Sequence, residues 1–467
     1  MQAGAKLSYY LTTLSMLFSR LLAITLACLL VSVASLHSAT NHHVILITID
    51  GLAAYYLADP AVPMPTLRKL IHEGASAENL RVCNPTVTWP NHTTLITGVG
   101  PDKHSVLFNG VLVRARPGQP ARVDSRRDQK ELVSVPTLFD EFHRAGLRTA
   151  AINWPCTRGA TNLDDNFPDV LEPISHTTPR LRDELVGTGI LASTNEAAFR
   201  ALSAAARDQV WTAAAAHVIR TRRPNLLLFH LLATDTLQHR YGPQSPAAYA
   251  ALALADANLA ELLRALQAAG IAEETTVFVA SDHGFEKPSR LINPNVIFRK
   301  AGLIRPGART RVQAIAEGGV AFVYFTDPET AVGDRPKVLE LLRGQEGIGT
   351  VFTPDKFAEL RLPNPANNPQ MADLLLAASD GYAFHDEIFD EKIVTELVAS
   401  SGSHGYLASD PKMNGIFIAA GRGVKAGVKL ETVDNIDIAP TIAALLGQKL
   451  ATADGKVIAA ILGGGPR

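Results

Sequence analysis

Charge of either sign is not in surplus in this sequence: 44 Lys and Arg stand against 45 Asp and Glu, a formal net charge of −1. A balanced chain has no electrostatic footprint for nucleic acid, which argues against a DNA- or RNA-binding role. Cysteine is scarce, with three in 467 residues. A Cys83–Cys156 disulfide is compatible with an oxidising compartment, but nothing in the sequence requires it, and two free thiols are the simpler reading. Glycine and proline are spread rather than clustered, and no internal repeat is apparent. With 47% hydrophobic and 19% charged residues, this excludes a disordered, collagenous or coiled-coil chain. The apolar run Leu21–Ala34 is short for a spanning helix of roughly 20 residues and suits an export signal. Lys6 and Arg20 precede it, and the small residues Ser35, Ser38 and Ala39 follow. Residues 1–39 therefore read as a signal peptide, and the protein as periplasmic or secreted. An uncleaved anchor is the alternative, since Leu11–Phe18 extends the apolar character upstream; a membrane enters only in that case.

Beyond the signal, apolar β-type runs alternate with helical patterns. The candidate strands are His43–Asp50, Arg148–Trp154, Asn225–Leu232, Thr275–Ser281 and Gly415–Ala420. Helices are expected over Pro136–Ala145, Glu196–Arg220, Pro246–Ala269 and Asp437–Leu446. This alternation predicts an α/β fold with a mostly parallel central sheet covered by helices on both faces. The stretch Arg114–Glu131 is polar and reads as a surface excursion. Residues 291–384 carry their own strand-like and helical pieces and read as an inserted α+β subdomain, perched as a cap over the site or decorating an edge. The core then comprises residues 40–290 and 385–467.

Open α/β sheets bind ligands outside the carboxyl ends of their strands. Four chemistry-bearing segments fall where strands end or begin. Asp50-Gly51 follows the first strand. Asp235 and His239 lie four apart after the third, so one helical turn places both on one face, able to grip one ion. Asp282-His283-Gly284 follows the fourth strand and suits a second ion. His404 stands in Ser403-His404-Gly405-Tyr406, just before the last strand. Between the first two segments, Pro90 suits the first turn of a helix running toward Gly98. Thr88 would sit at that helix's positive end, where a developing alkoxide and a phosphoryl group are both favoured. A plain N-cap is the competing reading of Thr88, because threonine is a poor nucleophile unless a metal or base activates it.

Together these segments resemble the alkaline phosphatase superfamily, in its nucleotide pyrophosphatase/phosphodiesterase branch. The resemblance runs in order through Asp50-Gly51, Pro85–His92, Asn109, Thr234–His239, Ser281–Gly284 and Gly402–Tyr406, from about residue 43 to 447. It implies an alkaline-phosphatase-like fold and two Zn²⁺ ions. One ion would be held by Asp235, His239 and His404, the other by Asp50, Asp282 and His283 with Thr88 bound to it. Thr88 would be the nucleophile, forming a phospho-threonine that water then hydrolyses, and Asn109 would donate to a phosphate oxygen. The expected partner is a small phosphodiester or nucleotide; the oligomeric state is not legible.

Several positions depart from the family pattern. Trp89 stands where the family usually has Phe, and His230 where nucleotide-hydrolysing members carry a stacking Tyr, so both are candidate substrate contacts. Phe285 replaces a Met and Cys156 a Gly. Arg158 is a candidate contact for a dianionic phosphate, which keeps a phosphomonoesterase or phosphonate hydrolase of the same superfamily as the alternative. Cys83-Asn84-Pro85-Thr86-Val87 half-matches a sulfatase motif but has Val87 where arginine is required. A non-catalytic binding protein would tolerate loss of a ligand or of the nucleophile, and none is lost.

Overall fold

The computed structural model describes residues 41–114 and 116–463; the expected signal peptide lies outside them. Eight strands build the central sheet: β1 His43–Ile49, β2 Ala75–Arg81, β3 Thr149–Ile152, β4 Asp165–Phe167, β5 Leu226–Leu231, β6 Thr275–Ala280, β7 Gly415–Gly421 and β8 Val428–Asp434. Their order across the sheet is β8-β2-β7-β6-β1-β5-β3-β4. All neighbours pair in parallel except around β7, which runs antiparallel to both β6 and β2. The sheet is thus mostly parallel, with helices on both sides.

The central strands are buried on both faces, which is why β1 reads HVILITI without polar alternation. Side chains still divide by parity. Ile45, Ile47 and Ile49 join Leu227, Phe229 and Leu231 beneath the helices Ala204–Arg222 and Pro246–Ala269. Val44 and Leu46 join Leu226 and Leu228 on the opposite face, with Leu95 and Ile96 of the helix Thr88–Thr97. The helix Pro246–Ala269 has the expected bounds: the Ser245 side chain accepts from the Ala248 N–H, Pro246 opens the first turn, and Gly270 closes it at φ +69°.

Two expectations need correction. The single helix over Glu196–Arg220 is two, Glu196–Arg200 and Ala204–Arg222, because Ser203 turns out of the first and caps the second by accepting from Ala206 N–H. The stretch Arg114–Glu131 is not only a surface excursion. It contains the strand Ala121–Asp124, paired with Val111–Arg114 and tied through the Ala121 backbone to the Gln313 side chain.

A second, antiparallel sheet is formed by Val312–Glu317, Val320–Phe325, Leu374–Ala378 and Ile348–Phe352, in that order. Its first hairpin turn bears on the site. Gly319 donates to the His404 carbonyl at 2.9 Å. Gly405, at φ +80°, lies so close to the Glu317 carbonyl that a Cβ would sit 1.6 Å from it, so no side chain fits there.

Candidate active site

Three adjacent parallel strands, β6, β1 and β5, end side by side, and each delivers a carboxylate as it ends. Asp50 follows β1, Asp282 and His283 follow β6, and the helix Ala233–Tyr241 after β5 carries Asp235 and His239 on one face. His404 arrives from the segment preceding β7. Its main chain is docked on the loop before Thr88, where the Thr86 carbonyl accepts both the Gly405 N–H (3.0 Å) and the His404 ring Nδ1 (2.9 Å).

Thr88 is the first residue of the helix Thr88–Thr97, and Val87 is its N-cap, so the hydroxyl is not used in capping. Thr88 Oγ1 lies 3.4 Å from His283 Nε2 instead. The loop leading into this helix is fixed by the buried Asn91, whose amide donates to the Pro85 and Val87 carbonyls and accepts from Cys83 N–H.

The six candidate ligands separate into two groups, Asp235–His239–His404 and Asp50–Asp282–His283, and within each the donor atoms lie within 4.8 Å of one another. The first group is partly open, with the His239 side chain 43% exposed; the second is fully buried. His283 and His404, one from each group, stack with ring centroids 3.8 Å apart, so the groups adjoin. Phe285 packs against His239, His283 and His404.

Each ligand histidine directs Nδ1 at a main-chain carbonyl: His239 at Gly402 (3.0 Å), His404 at Thr86 (2.9 Å) and His283 at Gly284 (3.0 Å). A carbonyl only accepts, so each ring carries a proton on Nδ1 and, when neutral, turns a lone pair on Nε2 toward the carboxylates. Those contacts are His239–Asp235 at 3.3 Å, His404–Asp235 at 3.7 Å, His283–Asp50 at 3.3 Å and His283–Asp282 at 3.4 Å. The carboxylate atoms facing them, Asp235 Oδ1, Asp50 Oδ1 and Asp282 Oδ2, are buried and have no hydrogen-bond partner. Lone pair facing lone pair is repulsive unless a cation stands between. Six carboxylate and imidazole donors in two groups fit two divalent ions of the zinc type.

Electrostatics agree for the buried group; in the open one burial lowers His239, but the Asp235 carboxylate outweighs it and raises this ring above its ordinary value. Burial, then the nearby carboxylates Asp282 and Asp235, push Asp50 well above the ordinary carboxylate range. Burial also pushes Asp235 up, but the His239 and His404 imidazoles outweigh it and hold this carboxyl down. Burial holds His283 down at about 4 and His404 at about 3, keeping both rings neutral and able to ligate at neutral pH.

Asn109 is exposed beside the helix start and accepts the Trp89 main-chain N–H at 2.9 Å, which turns its amide nitrogen outward as a donor. Trp89 and Asn109 line a cleft of about 320 Å³ shared with Asp169, Phe199, Arg207 and Trp211. Asp169 accepts from Trp89 Nε1 at 3.2 Å and fixes the indole plane. Nothing local in the sequence marks Asp169, Phe199, Arg207 or Trp211; only the fold gathers them.

Two predicted substrate contacts are placed otherwise. His230 is fully buried within the sheet, against Thr48 and His92, and presents no face to a substrate. Arg158 is ion-paired with Asp128 at 3.0 Å and is not among the residues lining the Trp89 cleft. Cys83 and Cys156 are buried free thiols. Cys83 lies against Asn91 and Thr94, a structural position rather than one in the ligand groups.

The family model for type I phosphodiesterase/nucleotide pyrophosphatase matches residues 44–407. A Xenopus laevis bis(5′-adenosyl)-triphosphatase is 24% identical over 413 residues, covering 88% of this chain and 79% of that protein. Venom phosphodiesterase 2 of Crotalus adamanteus is 24% identical over 418 residues, covering 88% of this chain and 46% of its own length. This chain thus spans less than half of the venom enzyme. Among solved structures, murine ectonucleotide pyrophosphatase/phosphodiesterase 5, an inactive threonine-to-alanine variant in complex with AMP, superposes with a TM-score of 0.70 at 19% identity, covering 90% of this chain and 100% of that one.

Proposed function

This chain belongs to the type I phosphodiesterase/nucleotide pyrophosphatase family, and we propose that it hydrolyses phosphodiester or pyrophosphate bonds with Thr88 as nucleophile and two Zn²⁺ ions. The observation that carries the reading is the position of Thr88. Its hydroxyl is free of any capping role and points at His283, beside the unpartnered carboxylate oxygens.

Asp235, His239 and His404 would hold one ion, and Asp50, Asp282 and His283, with Thr88, the other. When bound, the ions supply the positive charge that makes a threonine hydroxyl nucleophilic at neutral pH and stabilises phosphoryl oxygens. The chain itself does the rest. The helix Thr88–Thr97 turns its positive end to the phosphoryl group. The Asn109 amide nitrogen donates to one phosphoryl oxygen, and Trp89 walls the cleft that receives a second substituent. Thr88 Oγ forms a bond to phosphorus as the bond to the leaving oxygen breaks; water then cleaves the phospho-threonine and restores the hydroxyl. Overall, one water is consumed and one diester gives an alcohol and a monoester.

The aromatic lining of the cleft and the nucleotide-acting relatives support a nucleotide or similar planar diester as substrate. Arg158, the cation expected for the monoesterase alternative, is engaged by Asp128 and is not among the residues lining the Trp89 cleft. We assign the protein to the periplasm or the exterior on its N-terminal apolar run; no helix among the described residues is long and apolar enough to cross a membrane. Residues 291–384 serve in this reading as an insertion whose Gly318-Gly319 turn buttresses His404. The test compares kcat/KM for p-nitrophenyl thymidine 5′-phosphate and p-nitrophenyl phosphate. The diester is expected to lead by at least about tenfold, some 1.4 kcal/mol at the transition state, and a lead of that size for the monoester overturns the assignment.

A further inference from the structure

The helix Ala204–Arg222 sets two adjacent side chains to different tasks near its start. Asp208 turns inward and accepts the Leu232 and Ala233 N–H groups, which fixes this helix against the one that carries Asp235 and His239. Arg207 instead lines the cleft shared with Trp89 and Asn109. Its guanidinium carbon lies 5.7 Å from the centre of the Trp211 ring, one turn further along. Trp211 is 2% exposed and meets Phe199 at 5.6 Å and Phe167 at 6.3 Å, both edge to face, so the ring is fixed. A guanidinium over the face of a ring keeps the N–H groups of its edge free to donate.

The chain offers those groups no acceptor. Arg207 Nε is buried without a hydrogen-bond partner, and the guanidinium makes no ion pair among the described residues. Arg200, which ends the helix Glu196–Arg200, also lines the cleft, is exposed and is likewise without an ion pair. By contrast Arg222, at the far end of the Arg207 helix, pairs with Glu184 and Asp165, and Arg158 pairs with Asp128. The one carboxylate lining the cleft is Asp169, whose Oδ2 is committed to the Trp89 indole at 3.2 Å. The lining thus carries two guanidiniums against one carboxylate. Apolar walls from Leu171, Phe199 and Trp211 reduce the screening of that excess. At about 320 Å³ the cleft has the size of a small-molecule site.

We propose that Arg207, aided by Arg200, is a specificity-determining residue that receives a second anionic group, so that the preferred substrate is a phosphodiester or pyrophosphate whose cleft-side substituent carries a further phosphate. The proposal rests on the hydrolase reading above and deepens it. Trp89 and Asn109 stand beside Thr88, where the bond is cleaved, and the arginines line the same cleft. A terminal phosphate, with three acceptor oxygens and about two charges, uses two guanidinium forks more fully than a carboxylate does. A cationic end group is the opposite case: Asp169 and the aromatic walls would attract it, and both arginines would repel it.

The test measures kcat/KM of full-length protein, supplied with Zn²⁺, for p-nitrophenyl alkyl phosphodiesters. Their alkyl chains, in a series of lengths, end in a hydroxyl, a phosphate or a trimethylammonium group, and release of p-nitrophenol reports cleavage of the diester. Charge-assisted hydrogen bonds are expected to give the phosphate-ended ester a lead of about 10–100-fold over the hydroxyl-ended one at the best chain length, carried by KM. Arg207→Gln is expected to bring that ratio to within about twofold of one, and Arg207→Lys, which keeps the charge without the fork, to retain part of it. Because the readout is a ratio within each variant, a general loss of activity does not imitate it. Should Arg207→Gln fail to fold by circular dichroism, Arg200→Gln decides: a lowered ratio supports the proposal and an unchanged one rejects it. No phosphate lead in wild type, a lead for the trimethylammonium ester, or a phosphate lead that survives Arg207→Gln overturns the proposal. Wild type that cleaves none of the esters refutes the hydrolase reading itself, whereas wild type that cleaves the hydroxyl-ended ester without preferring the phosphate refutes only the role of Arg207.

Discussion

Asp208 is where the scaffold's grip on the open ligand group can be broken most cleanly. The helix Ala233–Tyr241, which carries Asp235 and His239, starts at Leu232 with no side-chain cap of its own. Asp208, 1% exposed on the neighbouring helix Ala204–Arg222, supplies the cap from across the core: its two oxygens accept the Leu232 N–H at 3.0 Å and the Ala233 N–H at 2.9 Å. Asp208→Ala leaves both donors without that acceptor, at about 1–3 kcal/mol each. A loss of about 3–5 kcal/mol is expected, a large part of an ordinary domain's stability. Asp208→Asn keeps one acceptor and should lose roughly half as much. Burial pushes the Asp208 carboxyl up to about 7, against about 4 in an unfolded chain. Between those values the native state binds a proton that the unfolded state does not, so wild-type stability from this group is present below about pH 4 and is lost as pH rises through about 7. The alanine substitution should therefore cost less at about pH 8 than at about pH 5, by about 2–3 kcal/mol. Urea denaturation at both pH values, with Zn²⁺ affinity of the folded fraction, measures all of this. A destabilisation under about 0.5 kcal/mol at both, or a cost that grows with pH, would refute the reasoning.

Thr88→Ala is expected to abolish diester turnover while binding zinc as wild type does, and Thr88→Ser to keep measurable activity because a hydroxyl remains; wild-type rates in the alanine variant would return Thr88 to a structural role. Cys83 and Cys156, pushed up to about 12 by burial, hold only ~10⁻⁴ thiolate at about pH 8. Neither should react with a thiol reagent before denaturation, as peptide mapping of the labelled chain would show. Arg158→Ala should leave both monoester and diester kcat/KM within about twofold, since the guanidinium is paired with Asp128; a selective loss of monoester turnover would restore Arg158 as a substrate contact.

The sequence makes some of this architecture legible and hides the rest for physical reasons. The central strands are visible because a strand buried on both faces must be apolar throughout, as HVILITI is. β8, at the sheet edge, reads VKLETVD, and β2 reads ASAENLR; both are partly exposed and carry polar residues a loop would also have. The three-residue β4 is too short to show a period. The break at Ser203 is hidden by alanine-rich flanks that favour helix on both sides. The ligand residues are legible because each lies beside a strand end in a short motif. Their support is not: Asp208 reaches its helix from 24 residues away. His230 sits in an apolar strand next to a ligand segment, a placement as compatible with a substrate contact as with the buried position that the β1–β5 register reveals.

The central claim is a two-ion hydrolase in which both ligand groups are filled, and one titration tests it most directly. Metal-free protein is given Zn²⁺ in increments, while bound metal is measured by mass spectrometry and turnover of p-nitrophenyl thymidine 5′-phosphate is followed in the same samples. Activity is expected to rise with bound zinc and to level off at about two ions per chain, one for each ligand group. Full turnover in the metal-free protein, or a plateau reached with no bound zinc, would contradict the account.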